Sequence, residues 1–67
     1  MDTIKRVQDL MQERDMNLCV LAKKCGISYS TIQTTARRGG QLSVETIERI
    51  CLGLGITLKD FFDSPYL

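Results

Sequence analysis

Between residues 29 and 41 the chain runs YSTIQTTARRGGQ, a stretch rich in hydroxyl and carboxamide side chains that holds no acid. Such groups donate and accept hydrogen bonds at neutral pH without carrying charge. Wound as a helix at about 100° per residue, Ser30, Gln33, Thr34 and Arg37 share one side, with Tyr29 at its flank and Ile32, Thr35 and Ala36 opposite. The outer side suits the edges of nucleic-acid bases. Gln can make a bidentate pair with adenine, Ser and Thr can serve either partner, and the Thr methyl can meet the methyl of thymine. An ordinary solvated face would favour Glu and Lys, the stronger helix formers. Each Thr costs a helix about 0.5 kcal/mol relative to Ala, so Thr31, Thr34 and Thr35 together cost about 1.5 kcal/mol. Stability does not explain these choices.

Other chemistries find little support. The chain has no His, and its acids lie on solvated helix faces, so neither an acid–base pair nor an activated nucleophile emerges and no catalytic residue is assigned. Cys19, Cys25 and Cys51 are an odd number at spacings that match no zinc motif. They are expected to be reduced thiols, with Cys25 and Cys51 buried as small apolar groups and Cys19 exposed. No metal site, cofactor or small-molecule ligand is implied. No apolar run approaches the roughly 18 residues of a membrane span, and the N-terminus lacks a signal-peptide core, so a cytoplasmic location is expected.

The net charge of +1 hides an uneven distribution. Residues 17–44 carry Lys23, Lys24, Arg37 and Arg38 and no acid, a local +4, while residues 1–16 sum to −1 and residues 45–67 to −2. A near-neutral chain that clears carboxylates from one segment is suited to face phosphates there.

The elements that must hold this stretch are short and sharply punctuated. Ile4, Val7, Leu10 and Met11 recur at helical spacing, and the first helix should end near Arg14, before a turn through Asp15 and Met16. Asn17 caps a second helix, about residues 18–25, in which Leu18, Leu21, Ala22 and Cys25 share a face and Gly26 stops the winding. Ser28 is placed to cap a third helix, about residues 29–37, although the same letters alternate like a strand. Ser43 caps a fourth helix with Ile47, Ile50, Cys51 and Leu54 on one face, and Gly55 ends it. Thr57 and Asp60 have capping-box spacing, so LKDFF reads as a fifth helix whose Leu58, Phe61 and Phe62 close the core. The expectation is one all-α domain over residues 1–67, with a helix-turn-helix at its centre.

At this point NLCVLAKKCGISYSTIQTT, followed by LSVETIERICLGLGITLKDFF, resembles the lambda-repressor-like, Cro/cI-type helix-turn-helix family (the xenobiotic-response-element type). The likeness spans roughly residues 4–62 and rests on Leu21-Ala22, Gly26-Ile27-Ser28, Ile32, Thr46-Ile47, Ile50 and Leu54-Gly55-Ile56. It implies a compact five-helix domain whose third helix reads bases in the major groove and whose second crosses the backbone. By position, Tyr29, Ser30, Gln33 and Thr34 then face bases, Asn17 and Ser28 lie near phosphates or the groove edge, and Arg37, Arg38, Gly39 and Gly40 run along the backbone. The chain departs from the family in three places. Ala36 stands where many relatives have a Glu that pairs with a basic residue on the first helix, here Met11. Leu42 replaces a common Pro, which should loosen the approach to the fourth helix. Leu18 and Cys19 replace Gln and Glu, which removes a side-chain phosphate contact.

The leading expectation is a small bacterial or phage transcriptional regulator of the cytoplasm or nucleoid that binds double-stranded DNA in a sequence-specific way. Four basic residues in the middle segment allow few phosphate contacts per chain. A homodimer on half-sites about 34 Å apart is therefore expected, with FFDSPYL as its seam. The alternative is a protein-interaction module of the same fold, such as an antitoxin or a repressor antagonist, with Leu18, Tyr29, Tyr66 and Leu67 as exposed sticky positions.

Overall fold

The computed structural model describes residues 1–65. Helices follow one another as α1 (Thr3–Glu13), α2 (Leu18–Cys25), α3 (Tyr29–Arg37), α4 (Val44–Leu54) and α5 (Leu58–Phe62), with no strand among the described residues. The ambiguous Thr-rich segment is a helix, within which Thr35 satisfies its hydroxyl by donating to the Thr31 carbonyl at 2.9 Å.

Local chemistry sets the boundaries. The side chains of Asp2, Asn17, Ser43 and Thr57 each accept from a first-turn amide of the helix that follows. Thr57 and Asp60 form the reciprocal capping box, with backbone N–H bonds of 3.2 Å to Asp60 Oδ2 and 3.0 Å to Thr57 Oγ1. These bonds from Thr57 hold the Asp60 carboxyl below its ordinary range. α2 and α4 end on Gly26 and Gly55, whose φ of 66° and 71° lies in the left-handed region that a Cβ disfavours.

Leu21, Ile47, Ile50 and Phe61 fill the centre, joined by Val7, Leu10, Cys25, Ile32, Leu42 and Cys51. α2 and α4 lie so close that a Cβ on Gly53 would sit 2.9 Å from the Cα of Cys25 and closer still to its sulfur. Burial raises the Cys25 and Cys51 thiols above their ordinary range, and Cys19 is exposed. The three apolar residues of α5 expected to close the core divide: Phe61 is fully buried, whereas Leu58 and Phe62 are 39% and 40% exposed. Five residues give barely more than one turn, and α5 can present only one of these side chains squarely to the core.

Two buried polar residues tie the ends together. Arg6 donates from Nε to the Phe61 carbonyl at 2.7 Å, from Nη2 to the Asp60 carbonyl at 2.8 Å and from Nη1 to Asp9 at 2.9 Å. A guanidinium on the last carbonyls of a helix satisfies orphan acceptors and opposes the dipole. Thr3, fully buried, donates its hydroxyl to Gln41 Oε1 at 2.8 Å and accepts from the Leu42 N–H at 2.9 Å. The Thr3 N–H also donates to Gln41 Oε1, at 2.9 Å. Leu42 therefore does not loosen the approach to α4. It is buried, and its N–H, which a Pro would lack, hooks the loop to the start of α1.

Candidate nucleic-acid interface

Gly26 closes α2 and Ile27 and Ser28 lead straight into α3, so the two helices are joined by a tight turn. The turn is stapled by Ile27 N–H to the Ala22 carbonyl at 3.0 Å, and Arg49 of α4 reaches the Gly26 carbonyl at 3.5 Å. Ile32, 3% exposed, fixes the middle of α3 in the core. Tyr29, Ser30, Gln33, Thr34, Arg37 and Arg38 are all exposed. They fall on two neighbouring ridges one turn apart along the helix, Tyr29-Gln33-Arg37 and Ser30-Thr34-Arg38, the last being the cap residue.

Hydrogen bonds subdivide this surface. Gln33 Nε2 donates to the Tyr29 hydroxyl at 2.8 Å, making those two side chains a unit. The Ser28 and Ser30 hydroxyls pair at 2.9 Å. Ser28 holds the N-cap position of α3 but makes no side-chain cap. Its ψ of 127° falls short of the 157–174° at Asn17, Ser43 and Thr57, and its oxygen turns to Ser30 instead. Asn17, exposed, spends Oδ1 on the Val20 N–H at 2.9 Å, which leaves its carboxamide N–H groups uncommitted. No hydrogen bond joins Asn17 to the α3 residues, but Leu18 lines one groove together with Gln33 and Arg37, so the start of α2 and the outer surface of α3 are continuous. Leu18 itself is half-buried against the core rather than openly exposed.

That groove, about 300 Å³ between α1 and α3, has Ile4, Val7, Met11, Leu18 and Ile32 as its apolar walls. Ala36 was expected on the packed side with Ile32 and Thr35. Instead Ala36 is exposed and Thr35 half-buried. A methyl group is too short to span the space to Met11, and the groove stays open where an ion pair would close it.

No ion pair among the described residues neutralises the cations of the acid-free segment. Ion pairs among the described residues join Arg6 to Asp9, Arg14 to Glu13 and Arg49 to Glu45, and none involves Lys23, Lys24, Arg37 or Arg38. Uncharged hydrogen-bonding ridges that end in two unpaired arginines, on the second helix of a helix-turn-helix, form a surface suited to nucleic acid. A family model for the Cro/C1-type HTH DNA-binding domain matches residues 6–65. The chain belongs to this family. Searches of curated proteins and of solved structures return no match.

DNA binding is thus the function that this Cro/C1-type domain carries. No helix among the described residues is long and apolar enough to cross a membrane. Around the Cro/C1-type surface, sequence reasoning overlooked the residues that hold the reading elements in place. Thr3, Gln41 and Arg49 fix the loop after α3 and the turn before it. A signal for Thr3 and Arg6 was present: with Val7 and Leu10 they complete the i, i+3, i+4, i+7 pattern of the buried face of α1.

Proposed function

We propose that this Cro/C1-type domain binds a specific double-stranded DNA sequence as a small bacterial or phage transcriptional regulator, with α3 in the major groove. The observation that carries the reading is the pair of exposed, uncharged ridges on α3 that lead into unpaired Arg37 and Arg38. Tyr29, Ser30, Gln33 and Thr34 contact base edges. Asn17 offers its free carboxamide N–H groups, and Ser28 its hydroxyl, to phosphates at the groove edge. Arg37 and Arg38 grip the backbone, with Gly39 and Gly40 allowing close approach.

The weak grip of a single chain supports a homodimer acting in the cytoplasm or nucleoid. Leu58 and Phe62, exposed one turn apart on α5, offer it a seam. Phe61 is in the core and cannot join it, and Tyr66 and Leu67 of the expected seam lie outside the described residues. A second reading draws support from Val44 and Leu52 on α4, 67% and 76% exposed. These suit a protein partner, as in an antitoxin or a repressor antagonist.

Selection from random duplexes at low salt tests the proposal. Enrichment of one motif is expected, and no enrichment would refute sequence reading. Arg38→Ala should then weaken binding to the selected site and to unrelated DNA alike. It should also reduce the slope of log affinity against log salt by about 0.9 for each chain bound, about 1.8 for the proposed homodimer, the release expected from one lost phosphate contact per chain. An unchanged slope would remove Arg38 from the backbone grip.

A further inference from the structure

We infer that Tyr29 is a positioning residue that makes Gln33 select adenine over guanine. The inference rests on the proposed reading of DNA by α3. A glutamine carboxamide has two faces to offer. Its oxygen beside one N–H complements adenine, which presents the N7 acceptor next to the N6 amino donor. Its two N–H groups presented together complement guanine, whose N7 and O6 are both acceptors. In water a free carboxamide flips between these arrangements, so an unrestrained Gln33 discriminates poorly.

Here it is restrained. Gln33 Nε2 donates to the Tyr29 hydroxyl at 2.8 Å, one helical turn back on the same exposed ridge. One N–H is thereby consumed. When the bond takes the N–H trans to the oxygen, the N–H left over lies beside the oxygen, and the two together form the adenine complement. The direction of the bond follows from the surroundings in a major groove. Phosphate oxygens and purine acceptors draw the phenolic hydrogen of Tyr29 outward, so its oxygen is left to accept from Gln33. Reversing the bond would cost Tyr29 that outward partner and would turn both Gln33 N–H groups toward the base. No other side chain among the described residues hydrogen-bonds the Gln33 carboxamide, so removal of the phenolic oxygen removes its restraint.

The test compares the full-length wild type, Tyr29→Phe and Gln33→Ala. Each is selected on random duplexes, then titrated against the wild-type site and a copy in which the Gln33-dependent A·T pair of one half-site is replaced by G·C. The wild type should prefer A·T by about 10-fold, within the range for one bidentate contact. Tyr29→Phe should lower that ratio to 2-fold or less, as Gln33→Ala does, and the double variant should lose nothing further. Tyr29 is exposed, so thermal melting of Tyr29→Phe should match the wild type, and a general weakening of binding leaves the ratio readable. A full A-over-G preference in Tyr29→Phe, or G·C favoured by the wild type at the Gln33 column, would overturn the inference while leaving sequence-specific binding intact. Absence of any motif in the wild type would sink both.

Discussion

Replacing Thr3 by Val removes one oxygen from the interior and leaves its shape unchanged. Thr3 is fully buried, and its hydroxyl both accepts from the Leu42 N–H at 2.9 Å and donates to Gln41 Oε1 at 2.8 Å. The two losses differ in weight. Gln41 is exposed and keeps the bond from the Thr3 N–H, so water can replace the missing donor at little cost. The Leu42 N–H has no such recourse, because Leu42 is 6% exposed. Stranding a buried donor costs about 1–3 kcal/mol, and the added methyl returns a fraction of the roughly 0.8 kcal/mol of a buried carbon. The expected loss is about 2 kcal/mol, near half of what a core of this size supplies. For a 67-residue chain that is a fall in Tm of about 8–16 °C. Urea unfolding followed by far-ultraviolet circular dichroism measures it, with Thr3→Ser as the control. The Ser variant keeps both hydrogen bonds and should lose less than Val. A Val variant as stable as the wild type, beside a weakened Ser variant, would show that the methyl rather than the hydroxyl holds this corner.

Other consequences follow from the same framework. Gly53→Ala drives a methyl into Cys25 across the α2–α4 contact and should cost about 1–3 kcal/mol in a denaturant titration; a neutral result would mean that the two helices can part freely. Asp60 has its folded-state pKa depressed by the Thr57 bonds, so its contribution to stability is full above the unfolded-state value and fades as pH falls through the folded one. Asp60→Asn should therefore flatten the acid limb of a stability–pH profile, and an unaltered limb would place the acid sensitivity elsewhere. In a native thiol titration Cys19 should react at once, while Cys25 and Cys51, buried and with raised pKa values, should wait for unfolding. Equal rates for all would contradict the packing.

The helix order was legible because each boundary rests on local chemistry. Asn17, Ser43, Thr57, Gly26 and Gly55 act within a turn of themselves, and a linear reading captures such signals. Ile32 was legible as the one large aliphatic side chain of α3. Ser28 was half legible: its backbone caps α3, but the choice of its hydroxyl between an amide and Ser30 depends on a local torsion that the sequence does not encode. Ala36, Leu58 and Phe62 were placed too deep, since helical periodicity gives direction but not the depth to which a neighbouring element fills the space. Thr3, Arg6 and Leu42 needed partners 39, 55 and 39 residues away. Burial of a polar group is a property of its partner as much as of itself, and partners at that range are invisible until the chain is folded.

The open flank beside Ala36 bears on how such a domain can change its text. α3 is pinned at its centre by Ile32, and its far end is held by Gly39 N–H to Ala36 and Gly40 N–H to Thr35, bonds of 3.2 and 3.0 Å made by backbone alone. The loop beyond is moored by Thr3 through Gln41 and Leu42. None of these mooring hydrogen bonds comes from the side chain of Ser30 or Thr34. On the proposed reading, Ser30 and Thr34 can be exchanged singly without re-engineering the body that carries them, while Tyr29 and Gln33 must change as a pair, so the domain is a frame into which new operator vocabularies can be written.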